Sequence, residues 1–261
     1  MAWTALPQIK ITRPKLQTNR VVSVEGGPEA APYDMLRTKV LHQAATNNWK
    51  RIAITSPDSN TGKSVTTANL AFCLARQPDI RTIAFDFDLR RIGLTKALGQ
   101  RPDHNMADVL EGRVPFHDHA LRYGNGLAFG LNNGPVRHSS EILQGRKTAE
   151  ILDAIEEEFE PDIMLFDLPP MMATDDNFGF LKYVDCALIV AGAEKNGLQR
   201  MQEMHRLNNE AIYLVQDALW KRIIVGVFLW FLVNKIAKKR FLNNGAKDSH
   251  DGSFRDTTAT L

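Results

Sequence analysis

Cysteine is scarce in this sequence, with two residues in a chain of 261. Cys73 lies in the segment NLAFCLA and Cys186 in VDCALIV, so both have apolar neighbours. Such a pair has neither the spacing of a metal-ligand set nor that of a disulfide framework. We therefore expect both cysteines to be small core residues in a reducing compartment.

Long hydrophobic segments and a strong net charge are also missing. The longest uncharged apolar run, IIVGVFLWFLV at 223–233, has eleven residues, whereas a membrane-spanning helix needs about 20. The amino-terminal segment lacks the apolar stretch of a signal peptide. A formal net charge of +2 gives no reason to expect a nucleic-acid partner. We predict a cytoplasmic protein in which the run forms a buried strand.

The composition, 44% apolar and 24% charged, is that of an ordinary folded domain. Apolar strand-like segments alternate with helix-like segments, which indicates a mostly parallel sheet covered by helices on both faces. We predict a three-layer α/β domain over 29–237, an irregular arm at 1–28 and a flexible polar tail at 238–261. The predicted strands are 51–55, 81–88, 126–131, 162–168, 186–193 and 223–229, and the predicted helices are 33–45, 63–76, about 140–159, 174–183 and 197–216.

Residues 55–64 read TSPDSNTGKS and join the first predicted strand to a helix. This arrangement is typical of a phosphate-binding loop, in which backbone N–H groups and the helix N-terminus point at the anion. Lys63 is expected to reach the β- and γ-phosphates and Ser64 a Mg²⁺ ion. The opening glycine is replaced by Pro57. The segment predicts a P-loop NTPase-like domain, and the alternative is a helix start with a solvent-exposed lysine.

Acidic residues lie at the ends of two further predicted strands. Asp86 and Asp88, in RTIAFDFDLRR, share one side of an extended strand, and Asp167 ends the run DIMLFD. A carboxylate at the end of a buried strand needs a nearby positive charge or hydrogen-bond donors that offset the cost of burying its charge. A cation such as Mg²⁺ or Lys63 would provide the positive charge; alternatively, the arginine pair 90–91 satisfies the first two carboxylates as a surface cluster.

Prolines 169–170 stop the strand predicted at 162–168, and TDD at 174–176 follows. We expect one of Asp175 and Asp176 to cap the next helix. For the other, a role at the edge of the site stays open. In open parallel sheets, ligands bind beyond the carboxyl ends of the strands. The phosphate loop and the strand-end acids are therefore expected at one edge of the sheet.

Four segments, LRTKV, TSPDSNTGKS, DFDLRR and DLPP, occur here in the order typical of one protein family. From about residue 36 to residue 234, the sequence resembles the cytoplasmic bacterial tyrosine kinases (BY-kinases) of capsule and exopolysaccharide assembly. The stretch GRVPFHDHALRYGNGLAFGLNNGPVRHSSEIL resembles the family as well. The resemblance implies a protein-tyrosine kinase that uses ATP and Mg²⁺.

The resemblance also implies roles for individual residues. Asp86 and Asp88 become the second acidic motif, where a carboxylate accepts the proton of a tyrosine hydroxyl, and Asp167 becomes the third. The implied catalytic set is Lys63, Asp86, Asp88 and Asp167, and the implied metal ligands are Ser64, Asp86 and Asp167. The implied nucleotide contacts are Asn60, Thr61, Gly62, Lys63, Ser64, Val65 and Asn234. For Asn234, the structural alternative is a plain strand-end turn residue.

Two elements depart from the family pattern. Pro57 and Asn60 stand where the family's loop or its relatives carry glycine. In the ring-forming helix, whose family sequence is ExxRxxR, Ala31 and Asp34 take the first two charged positions and only Arg37 is retained. We do not expect ring assembly through this helix, while a homo-oligomer of another kind stays open.

The tail departs too, because none of the four tyrosines lies after residue 213. The family's acceptors include tyrosines near the kinase's own C-terminus, so tail autophosphorylation is excluded here. The implied partners are other protein tyrosine acceptors and a membrane-embedded polysaccharide chain-length regulator or co-polymerase. That regulator would hold a cytoplasmic protein at the inner face of the plasma membrane.

Two other functions stay open. A partitioning or cell-division switch ATPase would carry an extra lysine five residues before Lys63, where this sequence has Asp58. The DLRR segment favours the kinases over that group. A non-catalytic nucleotide-binding regulator of polysaccharide assembly fits the missing loop glycines and the tyrosine-free tail.

Overall fold

The structure is a computed structural model that describes residues 2–171, 179–192 and 211–216. These residues contain the strands β1 (Arg51–Thr55), β2 (Thr82–Asp86), β3 (Leu121–Tyr123), β4 (Leu127–Gly130), β5 (Ile163–Asp167), β6 (Cys186–Gly192) and β7 (Ala211–Gln216). They form one sheet in the order β3-β4-β2-β5-β1-β6-β7. Neighbouring strands pair in parallel, except that β3 runs antiparallel to β4.

Helices connect the strands and cover the sheet. They are α1 (Ala2–Ala5), α2 (Arg13–Thr18), α3 (Ala31–Asn47), α4 (Lys63–Ala75), α5 (Gly93–Leu98), α6 (Met106–Leu110), α7 (Phe116–His119), α8 (Ser139–Gln144) and α9 (Arg146–Phe159). A short 3₁₀ helix at Leu181–Tyr183 precedes β6.

The two faces of the sheet carry separate apolar cores, because successive strand residues point to opposite faces. Ala84 and Leu165 belong to the core that α3, α4 and α5 cover. Phe85 and Phe166 belong to the core beneath α6 to α9, where their rings stack with centroids 5.1 Å apart. A mostly parallel sheet with helices on both faces confirms the predicted three-layer α/β fold.

The strand and helix nearest the phosphate loop agree closely with their predictions. The strand predicted at 51–55 is β1, and the helix predicted at 63–76 is α4 at 63–75. Both cysteines are buried and neither forms a disulfide, as expected. Among the described residues, no helix is long and apolar enough to cross a membrane.

The first 28 residues, expected to be an irregular arm, contain α1 and α2 and pack against the sheet and its helices. The Trp3 indole N–H donates to the Phe159 carbonyl oxygen over 2.6 Å. The backbone of Arg122 in β3 exchanges hydrogen bonds with Pro7 and Ile9, each 2.8 Å long. The arm therefore covers the otherwise open edge of β3, which would expose unpaired backbone groups.

The end of the arm is bound to α4 by a single amide side chain. Asn69 Oδ1 accepts hydrogen bonds from the N–H groups of Val22 and Ser23. Its Nδ2 donates to the carbonyl oxygens of Arg20 and Val65. The amide thus uses two acceptor and two donor positions, and it connects the arm to the helix that begins with the predicted phosphate-binding lysine.

Two sequence predictions need correction. Residues 211–216 were predicted as the end of a helix, but they form β7, which pairs in parallel with β6. The helix prediction is wrong there because a short apolar run, AIYLVQ, does not distinguish helix from strand by periodicity. The helix predicted over about 140–159 is two helices, interrupted at Gly145, whose backbone is extended.

Several predictions lie outside the described residues. They are the strand at 223–229, the apolar run at 223–233, most of the helix at 197–216, the capping residues Asp175 and Asp176, the nucleotide-contact residue Asn234 and the tail at 238–261. They stay predictions.

A buried histidine in α7 makes the stability of the fold depend on pH. His119 is buried. Burial lowers the pKa of His119 from 6.5 to about 4; the Leu131 backbone opposes this shift, and His104 adds a smaller repulsion. The unfolded chain therefore binds this proton at a higher pH than the folded chain does.

We predict that the free energy of unfolding falls as the pH decreases from roughly 6.5 to 4, because each pKa unit of difference corresponds to about 1.4 kcal/mol. His119→Leu should flatten this decrease in denaturant titrations across that range. The matched control is His117→Leu, which changes an exposed histidine of the same helix. An unchanged pH dependence in the His119 variant would contradict the prediction.

Candidate nucleotide site

The carboxyl ends of three neighbouring strands form the edge where the sequence places the site. Ile54 of β1 pairs with Asp167 of β5, which pairs in turn with Asp86 of β2. The pairing continues one residue beyond the strands, where the Phe87 N–H donates to the Asp167 carbonyl oxygen over 2.9 Å. The phosphate loop and both acidic segments therefore leave the sheet side by side.

The phosphate loop satisfies its conformational requirements without its usual glycines. Asn60 adopts a left-handed conformation with φ of 62°, and Gly62 has φ of 88°. Asparagine is one of the few residues other than glycine that adopts this region readily. The substitution at position 60 is therefore compatible with the turn, and Pro57 is buried at the loop entrance.

The loop is also attached to the DLPP segment. The Thr55 hydroxyl donates to the Pro169 carbonyl oxygen over 2.8 Å, and the Met171 N–H donates to the Ser56 carbonyl oxygen over 2.8 Å. Within the loop, the Ser56 hydroxyl donates to the Asp58 carbonyl oxygen over 2.6 Å. Two chain segments that are remote in sequence thus fix the loop entrance.

Lys63 is the buried cation of the site. Its Nζ lies 2.8 Å from Asp88 Oδ2, 3.2 Å from Ser64 Oγ and 3.5 Å from Asp167 Oδ1. Burial acts to lower the pKa of Lys63, but attraction to Asp167 and Asp88 outweighs it and raises the pKa above the ordinary value. The side chain is a buried ammonium, so the alternative of a solvent-exposed lysine is wrong.

Asp88 and Asp86 have different partners, although the sequence predicted that they share one side of a strand. β2 ends at Asp86, and Asp88 lies beyond it with its carboxylate accepting from Lys63 and from the backbone N–H of Arg91. Asp88 is 1% exposed. This buried contact replaces the surface arginine cluster that we considered.

Asp86 is held by one residue of α5. Its Oδ2 accepts hydrogen bonds from the Thr95 backbone N–H over 2.9 Å and from the Thr95 hydroxyl over 2.6 Å. Complete burial and the charge of Asp167 raise the pKa of Asp86 to about 7, partly offset by the Thr95 hydrogen bonds and Lys63.

Asp167 lies between the lysine and α4. Its Oδ1 faces Lys63 and accepts from the Thr67 hydroxyl over 3.4 Å. Burial raises the pKa of Asp167, while Lys63 and the Ser64 hydroxyl oppose the shift. Its second oxygen, Oδ2, has no hydrogen-bond partner among the described residues.

These atoms fit a small divalent cation. Asp86 Oδ1 and Asp167 Oδ2 are buried acceptors without partners in the described part of the chain. A β-carbon built on Gly93 would lie 2.2 Å from Ser64 Oγ and 3.4 Å from Asp167 Oδ2, so glycine keeps space open beside both oxygens. Hard oxygen donors of this kind suit Mg²⁺, which often relies on one or two carboxylates together with substrate phosphates.

The protein donors do not form a complete cage by themselves. In the described ranges, no group of three or more His, Cys, Asp or Glu residues is arranged to hold a metal ion. A magnesium ion at this position would therefore need phosphate or water oxygens to complete its coordination.

The structure brings together most of the residues singled out from the sequence. Lys63, Ser64, Asp86, Asp88 and Asp167 lie at one edge of the sheet. Asn60, Thr61 and Gly62 form the loop, and Val65 follows in the first turn of α4. Asn234 lies outside the described residues.

Three buried or half-buried residues of the site escaped the sequence analysis: Gly93, Thr95 and Asn132. None of them belongs to a strand-end motif. Thr95 follows Asp86 by nine residues, and Asn132 lies on a different segment after β4. Without the fold, no spacing rule connects them to the carboxylate.

Comparison with known sequences agrees with the geometry. Residues 52–245 match the family model CbiA, described as the CobQ/CobB/MinD/ParA nucleotide binding domain. The chain is 27% identical over 190 residues to a putative tyrosine-protein kinase, AmsA, of Erwinia amylovora, covering 70% of this chain and 25% of the relative. It is 24% identical over 177 residues to a putative tyrosine-protein kinase, CapB, of Staphylococcus aureus, covering 67% of this chain and 76% of the relative.

A solved structure has the same fold. The kinase domain of the Escherichia coli tyrosine kinase ETK superimposes with a TM-score of 0.67 at 22% identity, covering 77% of this chain and 80% of that domain. The chain spans about a quarter of the length of AmsA but about three quarters of CapB. The relatives AmsA and CapB are described as putative tyrosine-protein kinases. The family model covers well over half of the sequence. The chain therefore belongs to the CobQ/CobB/MinD/ParA nucleotide-binding domain family.

Proposed function

We propose that this protein binds ATP with Mg²⁺ and transfers the γ-phosphoryl group to a tyrosine of another protein, in the assembly and export of a surface polysaccharide. One observation carries the proposal: a buried lysine at the start of α4 contacts two of three buried strand-end carboxylates. Phosphoryl transfer requires positioning and charge stabilisation of this kind. The named relatives support tyrosine as the acceptor.

The triphosphate would bind in the loop that precedes α4. The amides of residues 60–65 and the N-terminus of this thirteen-residue helix are suited to an anion. Lys63 would turn from Asp88 to the β- and γ-phosphates, a movement that its flexible side chain allows. Asn234 is proposed as the contact to the base.

Ser64 Oγ, Asp86 and Asp167 would hold the metal. Asp86 Oδ1 and Asp167 Oδ2 have no hydrogen-bond partner among the described residues, and Gly93 leaves space beside Ser64 Oγ and Asp167 Oδ2. Bound there, Mg²⁺ would neutralise the charge that develops on the phosphate oxygens. The chain's own part is to keep these oxygens buried, which strengthens their electrostatic interaction with a cation.

Asp88 is proposed as the proton acceptor. When Lys63 turns to the phosphates, Asp88 Oδ2 loses its 2.8 Å partner and becomes available. The tyrosine oxygen then forms a bond to the γ-phosphorus as the bond from that phosphorus to the ADP oxygen breaks. The phenolic proton passes to the carboxylate. Nucleotide binding and activation of the base are thereby coupled through one side chain.

The acceptor is proposed to lie in another protein, because Tyr33, Tyr123 and Tyr183 are engaged in contacts within the fold. Burial raises the pKa of Tyr33. The ring of Tyr123 packs edge-on against Phe72 with centroids 5.1 Å apart, and the hydroxyl of Tyr183 donates to the Gln144 carbonyl oxygen. Phosphorylating any of the three would disturb these contacts.

The polysaccharide system and the membrane-embedded chain-length regulator are proposed from the family resemblance, and this regulator would hold the protein at the inner face of the plasma membrane. Ring assembly through α3 is not proposed. Arg37 contacts Asp34 and the Cys73 carbonyl oxygen within the same chain, and Asp34 also pairs with Arg76. The one arginine retained from the ring motif is thus occupied internally.

Labelled ATP distinguishes the kinase from its alternatives. Incubation with Mg²⁺ and the cytoplasmic tail of a co-encoded chain-length regulator should place label on tyrosine. Release of phosphate without labelled tyrosine would favour a switch ATPase, and nucleotide binding without either product would favour a non-catalytic regulator. Both of those outcomes contradict the proposed kinase.

We predict that Lys63→Met abolishes phosphoryl transfer, because it removes the cation that pairs with the phosphates. The loss should be at least about 100-fold, since electrostatic stabilisation of this kind contributes several kcal/mol to phosphoryl transfer. Lys96→Met, which changes an exposed lysine on α5, is the matched control. Activity retained in the Lys63 variant would place the chemistry elsewhere.

We predict that Asn60→Gly binds ATP as the wild type does, whereas Asn60→Val weakens binding, because β-branched residues resist the left-handed conformation that residue 60 adopts. The strain should cost on the order of 1–2 kcal/mol, or about a tenfold loss of affinity. Titration with a fluorescent ATP analogue measures it. Equal affinity in all three proteins would show that the backbone of residue 60 does not shape the site.

A further inference from the structure

Two buried residues outside the strand-end motifs, Thr95 and Asn132, form a closed hydrogen-bonded network with Asp86. The Thr95 hydroxyl donates to Asp86 Oδ2 over 2.6 Å and accepts from the Asn132 backbone N–H over 3.0 Å. The Asn132 side-chain N–H₂ donates to the Asp86 carbonyl oxygen over 2.7 Å. Asp86, Thr95 and Asn132 are each at most 2% exposed.

The network determines the direction of every hydrogen bond in it. Because the Thr95 oxygen accepts from an N–H group, its own hydrogen is left to point at the carboxylate. The Thr95 backbone N–H supplies a second hydrogen bond to the same carboxylate oxygen, over 2.9 Å. Asp86 Oδ2 therefore accepts two hydrogen bonds from Thr95. Asp86 Oδ1 has no hydrogen-bond partner among the described residues.

Asn132 is held in turn by a third element. Its Oδ1 accepts from the Met106 N–H at the start of α6 over 2.9 Å. The Asn132 side chain thus joins α6 to the end of β2. The Asn132 backbone N–H joins the segment after β4 to α5. Such a satisfied polar network is rigid, and each of its members depends on the others.

We propose that Thr95 and Asn132 are positioning residues that orient the Asp86 carboxylate and leave Oδ1 as its ligand atom. The inference rests on the proposed Mg²⁺–nucleotide site. Groups that orient a metal ligand by hydrogen bonding to its second atom affect metal affinity by about 10- to 100-fold. The two residues act through Asp86, without contacting the nucleotide themselves.

The test compares Thr95→Val, which removes the hydroxyl and keeps the shape and the backbone N–H, with Thr95→Ser, which keeps the hydroxyl. Affinity for a fluorescent ADP analogue is measured with Mg²⁺ and with EDTA. With Mg²⁺ present, Thr95→Val should bind the ADP analogue about 10- to 100-fold more weakly than the wild type does. In EDTA its affinity should equal that of the wild type. Thr95→Ser should bind as the wild type does under both conditions. Thr148→Val removes a buried hydroxyl from α9 that bonds the Ile142 carbonyl oxygen, and it controls for stability.

A double-mutant cycle with Asn132→Ala tests whether both residues act through one network. Because they share one path to Asp86, the double variant should lose little more Mg²⁺ dependence than Thr95→Val alone. Additive losses would overturn the shared network. An equal loss in EDTA and Mg²⁺, or a serine variant as impaired as the valine variant, would overturn the positioning role.

A crystal structure of Thr95→Val separates this inference from the proposed function. If the wild-type protein bound no nucleotide, the proposed function would fail. The orientation of Asp86 would still be decided: a rotated carboxylate in the valine variant, with an unchanged one in the serine variant, supports the positioning role. An unchanged carboxylate in both variants overturns it.

Discussion

The site depends on the burial of three carboxyl groups and one ammonium group at a single edge of the sheet. Asp86, Asp88 and Asp167 are at most 1% exposed, and Lys63 is 8% exposed. Burying charges is costly unless each is paired and hydrogen-bonded. Lys63 compensates Asp88 and part of Asp167, whereas Asp86 relies on N–H and O–H donors and has a raised pKa. The remaining carboxylate oxygens make the site receptive to a further cation.

The scaffold holds these charges together in spite of their repulsion. The parallel register of β1, β5 and β2 places Asp86 beside Asp167. The loop that presents Lys63 is fixed by contacts to the DLPP segment. Asn69 binds the arm to α4, so the N-terminal residues support the helix on which the lysine lies. The local electrostatic cost is offset by two apolar cores that close both faces of the sheet.

Much of this arrangement was predictable because it follows from strand order and periodicity. Apolar strands ending in acid, and Gly62-Lys63-Ser64 before a helix, predict both the fold and the cluster. The partners of Asp86 were not predictable, since they are Thr95 of α5 and Asn132 after β4, and neither residue belongs to a strand-end motif. Lys63 was named as a cation for the acidic pair, but the sequence does not show that it pairs with Asp88 rather than Asp86. The strand at 211–216 was missed because pairing with β6 decides its conformation.

We propose that Lys63 pairs with Asp88 until a triphosphate replaces the carboxylate as its partner. The most direct measurement is a crystal structure of the protein with Mg²⁺ and a non-hydrolysable ATP analogue. The account predicts that Lys63 Nζ leaves the 2.8 Å contact with Asp88 Oδ2 and bonds the β- and γ-phosphate oxygens. A lysine still bonded to Asp88 with the analogue bound in the loop would contradict it.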